Sequence, residues 1–386
     1  MNEQVLSELV ALRRDLHAHP ELGFEEERTS AIVAQQLEVL GLEVTRGLGR
    51  TGVVGTLKAG DGRRAIALRA DMDALAMPEL GSQPWRSTIS GKMHACGHDG
   101  HTVMLLGAAR ELAASRDFSG TVHFVFQPAE EGRGGAKAMV ADGFFDRFPV
   151  DAAYGLHNMP GLAVDQIAVV KGPQLASSDS WTVNFQGIGT HGAKPHLGRD
   201  PIAAMGQFLA GLHMIVAREI DPLESAVVSA CAVEAGNFAA LNVIPDVAKV
   251  GGTARAYTPQ IRDRLEAAIG RFAEGVAIAH GVTAEYRFNR RIPPVVNAAG
   301  PTELAQAAAI RAVGSQNVLT DFPPSTAGDD FAEFGIRVPG CYAWLGNGPA
   351  KDGALHHNSR YDFNDAAIPA GVRYWCEIVR GELRGS

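Results

Sequence analysis

The apolar positions at the start of the chain repeat first with helical spacing and then with strand spacing. Residues 3–16 carry apolar side chains on one helical face, at Val5, Leu9, Leu12 and Leu16 among others, which predicts a helix. A second helix is predicted over 26–40, because Gly41 stands where a helix commonly ends. Short β-rich runs follow at 42–46, 52–58 and 65–70.

The next segments continue this alternation of strands and helices. Residues 101–114 have the pattern of a helix, and residues 121–127 form an apolar strand that ends at a glutamate pair. Alternating strands and helices predict an α/β domain with a mostly parallel central sheet. In such sheets ligands bind beyond the carboxyl ends of the strands. We therefore expect Asp71, Glu130, Glu131 and His157 to lie at one edge.

The middle of the chain has a different order of elements. Strands are predicted at 180–186, 226–233, 247–257 and 282–288, with helices at 201–218 and 260–280. This βαββαβ order is that of a ferredoxin-like domain. The α/β pattern then resumes with a helix at 302–313 and a strand at 341–345. The prediction is an α/β domain of residues 1–177 and 292–386, interrupted by a ferredoxin-like domain of residues 178–291.

Composition narrows the class of protein. A chain of 386 residues is long enough for two domains, and 46% hydrophobic with 20% charged residues is typical of globular proteins. A net charge of −8 leaves no basic patch, so we expect neither nucleic-acid nor membrane partners. The N-terminus lacks the pattern of a secretory signal, and the four cysteines are too few for a disulfide framework. A cytoplasmic location is therefore expected.

Two short segments concentrate metal-binding side chains. Cys96 and His98 stand in a glycine-flanked loop before the predicted helix, without the second ligand pair that a structural zinc site requires. Glu130 and Glu131 follow the strand at 121–127 and precede a glycine-rich turn. A glutamate pair on a surface turn is usually only solvated. At a strand's carboxyl end, however, one carboxylate can bind a metal while the other acts as a base.

Other histidines are more ambiguous on their own. His157 follows an apolar strand, and it suits a metal ligand or a hydrogen-bonded loop residue equally well. His356 and His357 are adjacent, so their side chains point apart and one of the two is expected to bind metal. Two motifs are excluded: the glycines at 47, 49 and 52 open no helix, as a dinucleotide site requires, and no G-x-S-x-G is present.

Eight stretches, spread over nearly the whole chain, carry a recognisable combination of motifs. They are residues 13–21, 69–75, 96–99, 127–132, 156–157, 189–193, 242–245 and 355–357. In this order they resemble the M20 family of metallopeptidases, in particular its amidohydrolase branch, which includes hippurate hydrolases, aminoacylase-like enzymes and auxin-conjugate hydrolases.

The resemblance implies a role for individual residues. The ligands of a two-metal centre would be Cys96, His98, Glu131, His157 and His356, with the Cys96 thiolate bridging, and Glu130 would be the general base. The insert would be a lid and dimerisation domain, in a dimer or dimer-based tetramer. His191 would stabilise the oxyanion, and Asn242 and Arg255 would bind the substrate carboxylate. Arg69 stands where other branches carry a metal-binding histidine.

The expected function is metal-dependent hydrolysis of an N-acyl amino acid, a small-molecule substrate, to a carboxylic acid and an amino acid. A dipeptidase or carboxypeptidase using the same site is the alternative within enzymes. A silent metal-binding or peptide-binding module is the alternative from another class. The ligand types suit zinc, and they also admit manganese, cobalt or nickel.

Overall fold

A computed structural model describes residues 1–350 and 353–384 of the chain. The helices are α1 Glu3–Ala18, α2 Glu27–Val39, α3 His98–Ser115, α4 Gly135–Ala141, α5 Phe144–Arg147, α6 Pro201–Leu212, α7 Met214–Glu219, α8 Pro259–His280, α9 Ala299–Val313, α10 Ala332–Gly335 and α11 Ile368–Glu382. The strands are β1 Glu43–Leu48, β2 Gly52–Ala59, β3 Ala65–Asp71, β4 Gly120–Gln127, β5 Ala152–Met159, β6 Ile167–Ala168, β7 Gly172–Leu175, β8 Ser178–Gln186, β9 Thr190–His191, β10 Ala226–Ala235, β11 Val243–Ile244, β12 Val247–Ala256, β13 Thr283–Ile292, β14 Val295–Asn297, β15 Val318–Leu319 and β16 Gly340–Gly346.

The chain forms two compact units. The first unit comprises residues 1–174, 296–323 and 330–386, and the second comprises residues 175–295 and 324–329. The predicted insert, 178–291, falls within the longer segment of the second unit. Each unit has its own cluster of buried apolar side chains.

The first unit is built on an eight-stranded sheet. Its strand order is β1, β2, β4, β3, β5, β16, β6, β15. The central strands β4, β3, β5 and β16 are parallel to their neighbours within this set, whereas β1, β2 and β6 add antiparallel pairs. The predicted α/β class with a mostly parallel sheet is confirmed. Because β3, β4 and β5 are adjacent and parallel, their carboxyl ends lie at the same edge.

The start of α3 has a specific local cause. Gly97 adopts φ +93°, in the left-handed region that glycine tolerates best. A Cβ atom there would lie 2.5 Å from the Asn158 side-chain oxygen, so the position has no room for a larger residue. The helix therefore begins at His98, three residues before the predicted start. His98 and His101 consequently lie one turn apart on the same face.

The second unit contains a four-stranded antiparallel sheet in the order β10, β12, β8, β13. Helices α6 and α8 supply buried residues to its core, among them Phe208 and Leu265, which lie with Trp181 and Val183 of β8. The chain order β8, α6, β10, β12, α8, β13 is the predicted ferredoxin-like order, which is confirmed. The predicted helix over 201–218 is divided at His213 into α6 and α7.

Among residues 1–350 and 353–384, no helix has both the length and the apolar character needed to cross a membrane.

Candidate metal centre

Neighbouring elements of the first unit bring the candidate metal ligands together. Cys96 lies immediately before α3, and His98 is the first residue of that helix. Glu130 and Glu131 follow β4, and His157 is the sixth residue of β5. All of these side chains are buried or nearly buried, with Cys96 at 8% and His98 at 0% exposure. Burial of this many polar groups requires partners, because an unpaired buried polar group is costly.

One set of ligand atoms consists of Cys96, Glu131 and His357. The Cys96 sulfur, a Glu131 carboxylate oxygen and a His357 ring nitrogen all lie within 4.8 Å of one another. His357 Nε2 is 3.1 Å from Glu131 Oε1. Contacts with Cys96 and Glu131 raise the pKa of His357 to about 10. The protein thus attracts positive charge to the position where these three groups converge.

A second set forms around His98 and His157. Their ring nitrogens lie within 4.8 Å of one another, together with groups of Asp71 and His101. His157 Nδ1 lies 2.8 Å from the Asn158 carbonyl oxygen, so it donates there and Nε2 is left as the atom that faces Cys96, 3.4 Å from the sulfur. His98 also lies within 4.8 Å of Glu130 and Glu131. Cys96 is therefore close to both sets.

The hydrogen bonds of the candidate ligand atoms show whether these residues could bind a metal ion. Both ring nitrogens of His98 and the Oε1 atom of Glu131 are buried and form no well-directed hydrogen bond within the described residues, although His98 Nδ1 lies 3.3 Å from Asp73 and Glu131 Oε1 lies 3.1 Å from His357. Burial lowers the pKa of His98, but the charge of Asp71 outweighs it and raises that pKa well above its usual value. Thiolate, imidazole and carboxylate are the usual ligands of divalent transition metals. The donor set fits divalent metal ions.

The structure places the two adjacent histidines in different surroundings. The sequence resemblance assigned metal binding to His356, but His356 Nε2 instead lies 3.1 Å from the side-chain nitrogen of Asn158. His357 is the residue that meets Cys96 and Glu131. The reason lies in the backbone, because His357 has φ +62° and its N–H donates to the Ala95 carbonyl, 2.8 Å away. This anchor places its side chain beside Cys96.

A buried carboxylate that the sequence did not single out holds the two glutamates in place. Asp73, at 1% exposure, accepts the backbone N–H of Glu130 with one oxygen and that of Glu131 with the other, each at 3.0 Å. Its Oδ1 atom is also 3.3 Å from His98 Nδ1. The sequence offered one signal, since Asp73 stands two residues beyond β3 at the carboxyl edge of the sheet.

Asp71 and His101 lie beside the proposed ligands His98 and His157 and are hydrogen-bonded to each other. His101 Nδ1 is 2.6 Å from Asp71 Oδ1, and the backbone N–H of Asn158 donates to His101 Nε2 at 3.0 Å. Arg69, the residue at the position of the expected histidine ligand, binds Asp71 at 2.7 Å and Gln127 at 2.8 Å. Its guanidinium balances the charge of Asp71 instead of binding a metal.

The candidate substrate-binding residues all lie in the second unit. His191 in β9 pairs with Val243 of β11, and the N–H of Gly192 donates to the Asn242 carbonyl at 2.7 Å. His191 and Asn242 are thus neighbours with exposed side chains. Arg255 lies in β12, where its guanidinium donates to the Ala254 carbonyl at 3.0 Å.

With this geometry established, comparison with known proteins identifies the family. A profile of Peptidase family M20/M25/M40 matches residues 67–381. The chain belongs to this family. Over 377 residues this M20 chain is 40% identical to hippurate hydrolase of Campylobacter jejuni, covering 98% of the chain and 97% of the relative. It is 37% identical to N-acetylcysteine deacetylase of Bacillus subtilis, covering 96% of each.

A solved structure agrees with this family assignment. A Bacillus subtilis protein described as a dinuclear metal-binding peptidase from the M20 family matches the M20 chain with a TM-score of 0.86. The two are 34% identical, and the match covers 98% of each chain. The two ligand sets found here fit two divalent ions.

Proposed function

We propose that this chain is a metal-dependent amidohydrolase that cleaves the amide bond of N-acyl amino acids. The observation that carries the proposal is that Cys96 belongs to the set with Glu131 and His357 and also lies 3.4 Å from His157 of the second set, with Glu130 next to Glu131 in the chain. Similarity to hippurate hydrolase and to N-acetylcysteine deacetylase supports the substrate class, because both names describe hydrolysis of an acylated amino acid.

The proposed ligands are Cys96, His98, Glu131, His157 and His357, with the Cys96 sulfur shared between the two sets. Two divalent ions held there would polarise the amide carbonyl and lower the pKa of a water molecule. The candidates are zinc, manganese, cobalt and nickel. Thiolate and imidazole ligands suit zinc, and the oxygen ligand also admits manganese, cobalt or nickel.

Glu130 is the proposed general base. It lies next to a metal ligand on a turn, where successive side chains point in different directions, so its carboxylate can face the attacking water while Glu131 faces the metal. Glu130 takes a proton from that water and later delivers it to the nitrogen of the leaving amine. His191 is proposed to stabilise the oxyanion, and Asn242 and Arg255 to bind the substrate carboxylate.

We further propose a dimer formed through the second unit. Strand β10 is an edge of the four-stranded sheet, and unpaired edges are templates for strand pairing. Exposed apolar side chains accompany this edge, with Val233 at 60%, Phe238 at 95% and Leu241 at 81% exposure. A second copy of the chain would cover them. All four cysteines are free, and a cytoplasmic location would keep the Cys96 thiol reduced for metal binding.

A substrate and metal panel tests the function. Metal-stripped protein is reconstituted with each of the four metals, then assayed on benzoyl- and acetyl-amino acids and on dipeptides with a free amino terminus. We expect hydrolysis of the N-acyl amino acids. The Glu130→Gln variant should bind metal normally but lose roughly 10²- to 10⁴-fold in kcat.

Three results would contradict the proposal. Preference for peptides with a free amino terminus would favour a dipeptidase or carboxypeptidase instead. Turnover by Glu130→Gln close to that of the wild type would reject Glu130 as the base. If no reconstituted form hydrolyses any of these substrates, the chain would be a metal-binding module without catalytic activity.

A further inference from the structure

Three consecutive backbone N–H groups at the metal centre all donate to buried carboxylates. Those of Glu130 and Glu131 donate to Asp73, as described above. The N–H of Ala129 donates to Oε1 of Glu26 at 2.8 Å. Ala129 has φ +53°, a left-handed conformation that residues other than glycine adopt infrequently. Such a conformation persists only where the surroundings hold it.

Glu26 comes from a distant part of the sequence, immediately before α2. Its side chain is completely buried, and its other oxygen accepts the Thr51 hydroxyl at 2.6 Å. Burial raises the pKa of Glu26 to about 7, against the lowering effect of the Thr51 hydrogen bond. A buried carboxylate is costly to retain, so its hydrogen bond to Ala129 requires an explanation.

The chain around Glu26 also packs directly against residues 129–133, here called the glutamate turn. A Cβ atom at Gly23 would lie 2.9 Å from the Ala129 Cα atom, closer than real side chains approach. Arg133 Nη1 donates to the Gly23 carbonyl at 2.9 Å. Residues 23–26 therefore pack against the glutamate turn and add contacts to those that Asp73 makes.

We propose that Glu26 is a positioning residue for Glu130 and Glu131. By accepting the Ala129 N–H, it fixes the left-handed residue at the start of the glutamate turn. That residue sets the directions of the two following side chains, so Glu131 reaches Cys96 and His357 while Glu130 is directed to the water. The inference rests on the proposed roles of Glu130 as base and Glu131 as ligand.

The two metal positions should depend on Glu26 unequally. Of the proposed ligands, only Glu131 belongs to the glutamate turn, whereas His98 and His157 are held by α3 and β5. Loosening the turn should weaken the ion bound by Cys96, Glu131 and His357. The ion bound by Cys96, His98 and His157 should be little affected. Misdirection of Glu130 should lower kcat more than it changes KM.

The test compares Glu26→Ala with Glu26→Gln. Metal-free protein is titrated with Co²⁺, and binding is monitored by calorimetry and visible absorption. In a separate assay, kcat and KM are measured on an N-acyl amino acid. For Glu26→Ala we expect one of two binding events to weaken roughly 10- to 100-fold, with kcat reduced by about tenfold or more. Glu26→Gln should retain most of the Co²⁺ affinity and most of kcat. Its amide carbonyl can accept the Ala129 N–H, and its NH₂ group can donate to the Thr51 hydroxyl oxygen.

Glu382→Ala is a matched control. Glu382 is also a buried carboxylate of the first unit, but it lies in α11, and its hydrogen-bond partners Arg64, at 2.7 Å, and Tyr154 are outside the glutamate turn. Its loss should lower stability without a selective effect on one ion. If Glu26→Ala does not fold, Gly23→Ala carries the same expectation, because it presses on Ala129 while leaving Glu26 in place.

Either of two outcomes would overturn the inference. One is wild-type Co²⁺ binding and kcat in Glu26→Ala or, if that variant does not fold, in Gly23→Ala. The other is equal weakening of both ions, matching Glu382→Ala. Glu130→Gln is measured in parallel: if it is inactive while the Glu26 variant is normal, only this inference fails. If Glu130→Gln remains active, the proposed function fails instead.

Discussion

The metal-binding assignment depends on buried side-chain atoms whose hydrogen-bonding capacity is not fully used. Both ring nitrogens of His98 and one oxygen of Glu131 form no well-directed hydrogen bond within the part of the chain that the structure describes, and have charged neighbours in Asp73 and His357. Such groups normally cost stability, and native proteins retain them where they have a use. Metal coordination would use the remaining capacity of both residues. Metal affinity should consequently fall at low pH, because protons compete for the same imidazole and carboxylate atoms.

Replacement of each adjacent histidine should separate their roles. His357→Ala should lose one of the two ions and at least about 100-fold of its activity, because the set with Cys96 and Glu131 loses a ligand. His356→Ala should retain both ions, because its ring contacts Asn158 instead. Metal analysis of the dialysed variants, with activity measured beside it, checks this. Loss of an ion from His356→Ala alone would return the ligand role to His356.

Sequence reasoning named most of the proposed ligands, but the residue pattern alone could not distinguish His357 from His356, which the family resemblance favoured. Four proposed ligands lie within regular elements or directly beside them, so the sheet edge at which they meet could be predicted. They are Cys96, His98, Glu131 and His157. His356 and His357 lie in an irregular segment, where the side-chain direction depends on the backbone angle of a single residue. Asp73 and Glu26 were missed for a related reason: they act on backbone N–H groups, which leave no pattern in the sequence.

At the scale of elements, hydrophobic periodicity located most helices and strands to within a few residues. Strand β4 was predicted at 121–127 and lies at Gly120–Gln127, and α8 was predicted at 260–280 and lies at Pro259–His280. The larger differences have local causes. Helix α3 begins three residues before its predicted start because of Gly97. The helix predicted over 201–218 is interrupted at His213, although its apolar pattern continues beyond that residue. Periodicity reports burial, and these breaks do not alter which face is buried.

The edge strand β10 provides a prediction about assembly. Val233→Lys should convert the proposed dimer to a monomer, because a charge placed on an exposed edge opposes strand pairing. Ile278→Lys is the matched control, since Ile278 lies on α8 of the same unit and is 74% exposed. Light scattering after size-exclusion chromatography measures the mass of each variant. A wild-type monomer, or an unchanged dimer in Val233→Lys, would reject this edge as the interface.

At the scale of the whole molecule, charged side chains join parts of the first unit that are far apart in sequence. Arg13 of α1 is fully buried and binds Asp365 at 2.7 Å and Asp362 at 3.0 Å, across about 350 positions of the chain. It also lies 3.5 Å from Asp99 in α3. Removing one partner from such a buried network is strongly destabilising. Pairings of this range follow from the completed fold, so local sequence patterns could not predict them.

The same network should make stability depend on pH through His17. Its ring is completely buried, with Nδ1 2.8 Å from Asp99 and Nε2 3.2 Å from Glu79, and Arg13, His94 and Asp362 lie around it. Burial alone would lower the pKa of His17, but the charge of Asp99 and its hydrogen bond outweigh burial and raise that pKa to about 9, from 6.5 in the unfolded chain.

Because the folded protein binds this proton more tightly, the stabilisation is complete below pH 6.5 and disappears as the pH rises through about 9. In metal-free protein, the unfolding free energy of the wild type relative to His17→Gln should therefore decrease by about 1–3 kcal/mol across this window. Urea unfolding of both proteins at fixed pH values measures the difference. A difference that stays constant with pH would show that His17 is not protonated in the folded state, and that Asp99 is balanced by Arg13 alone.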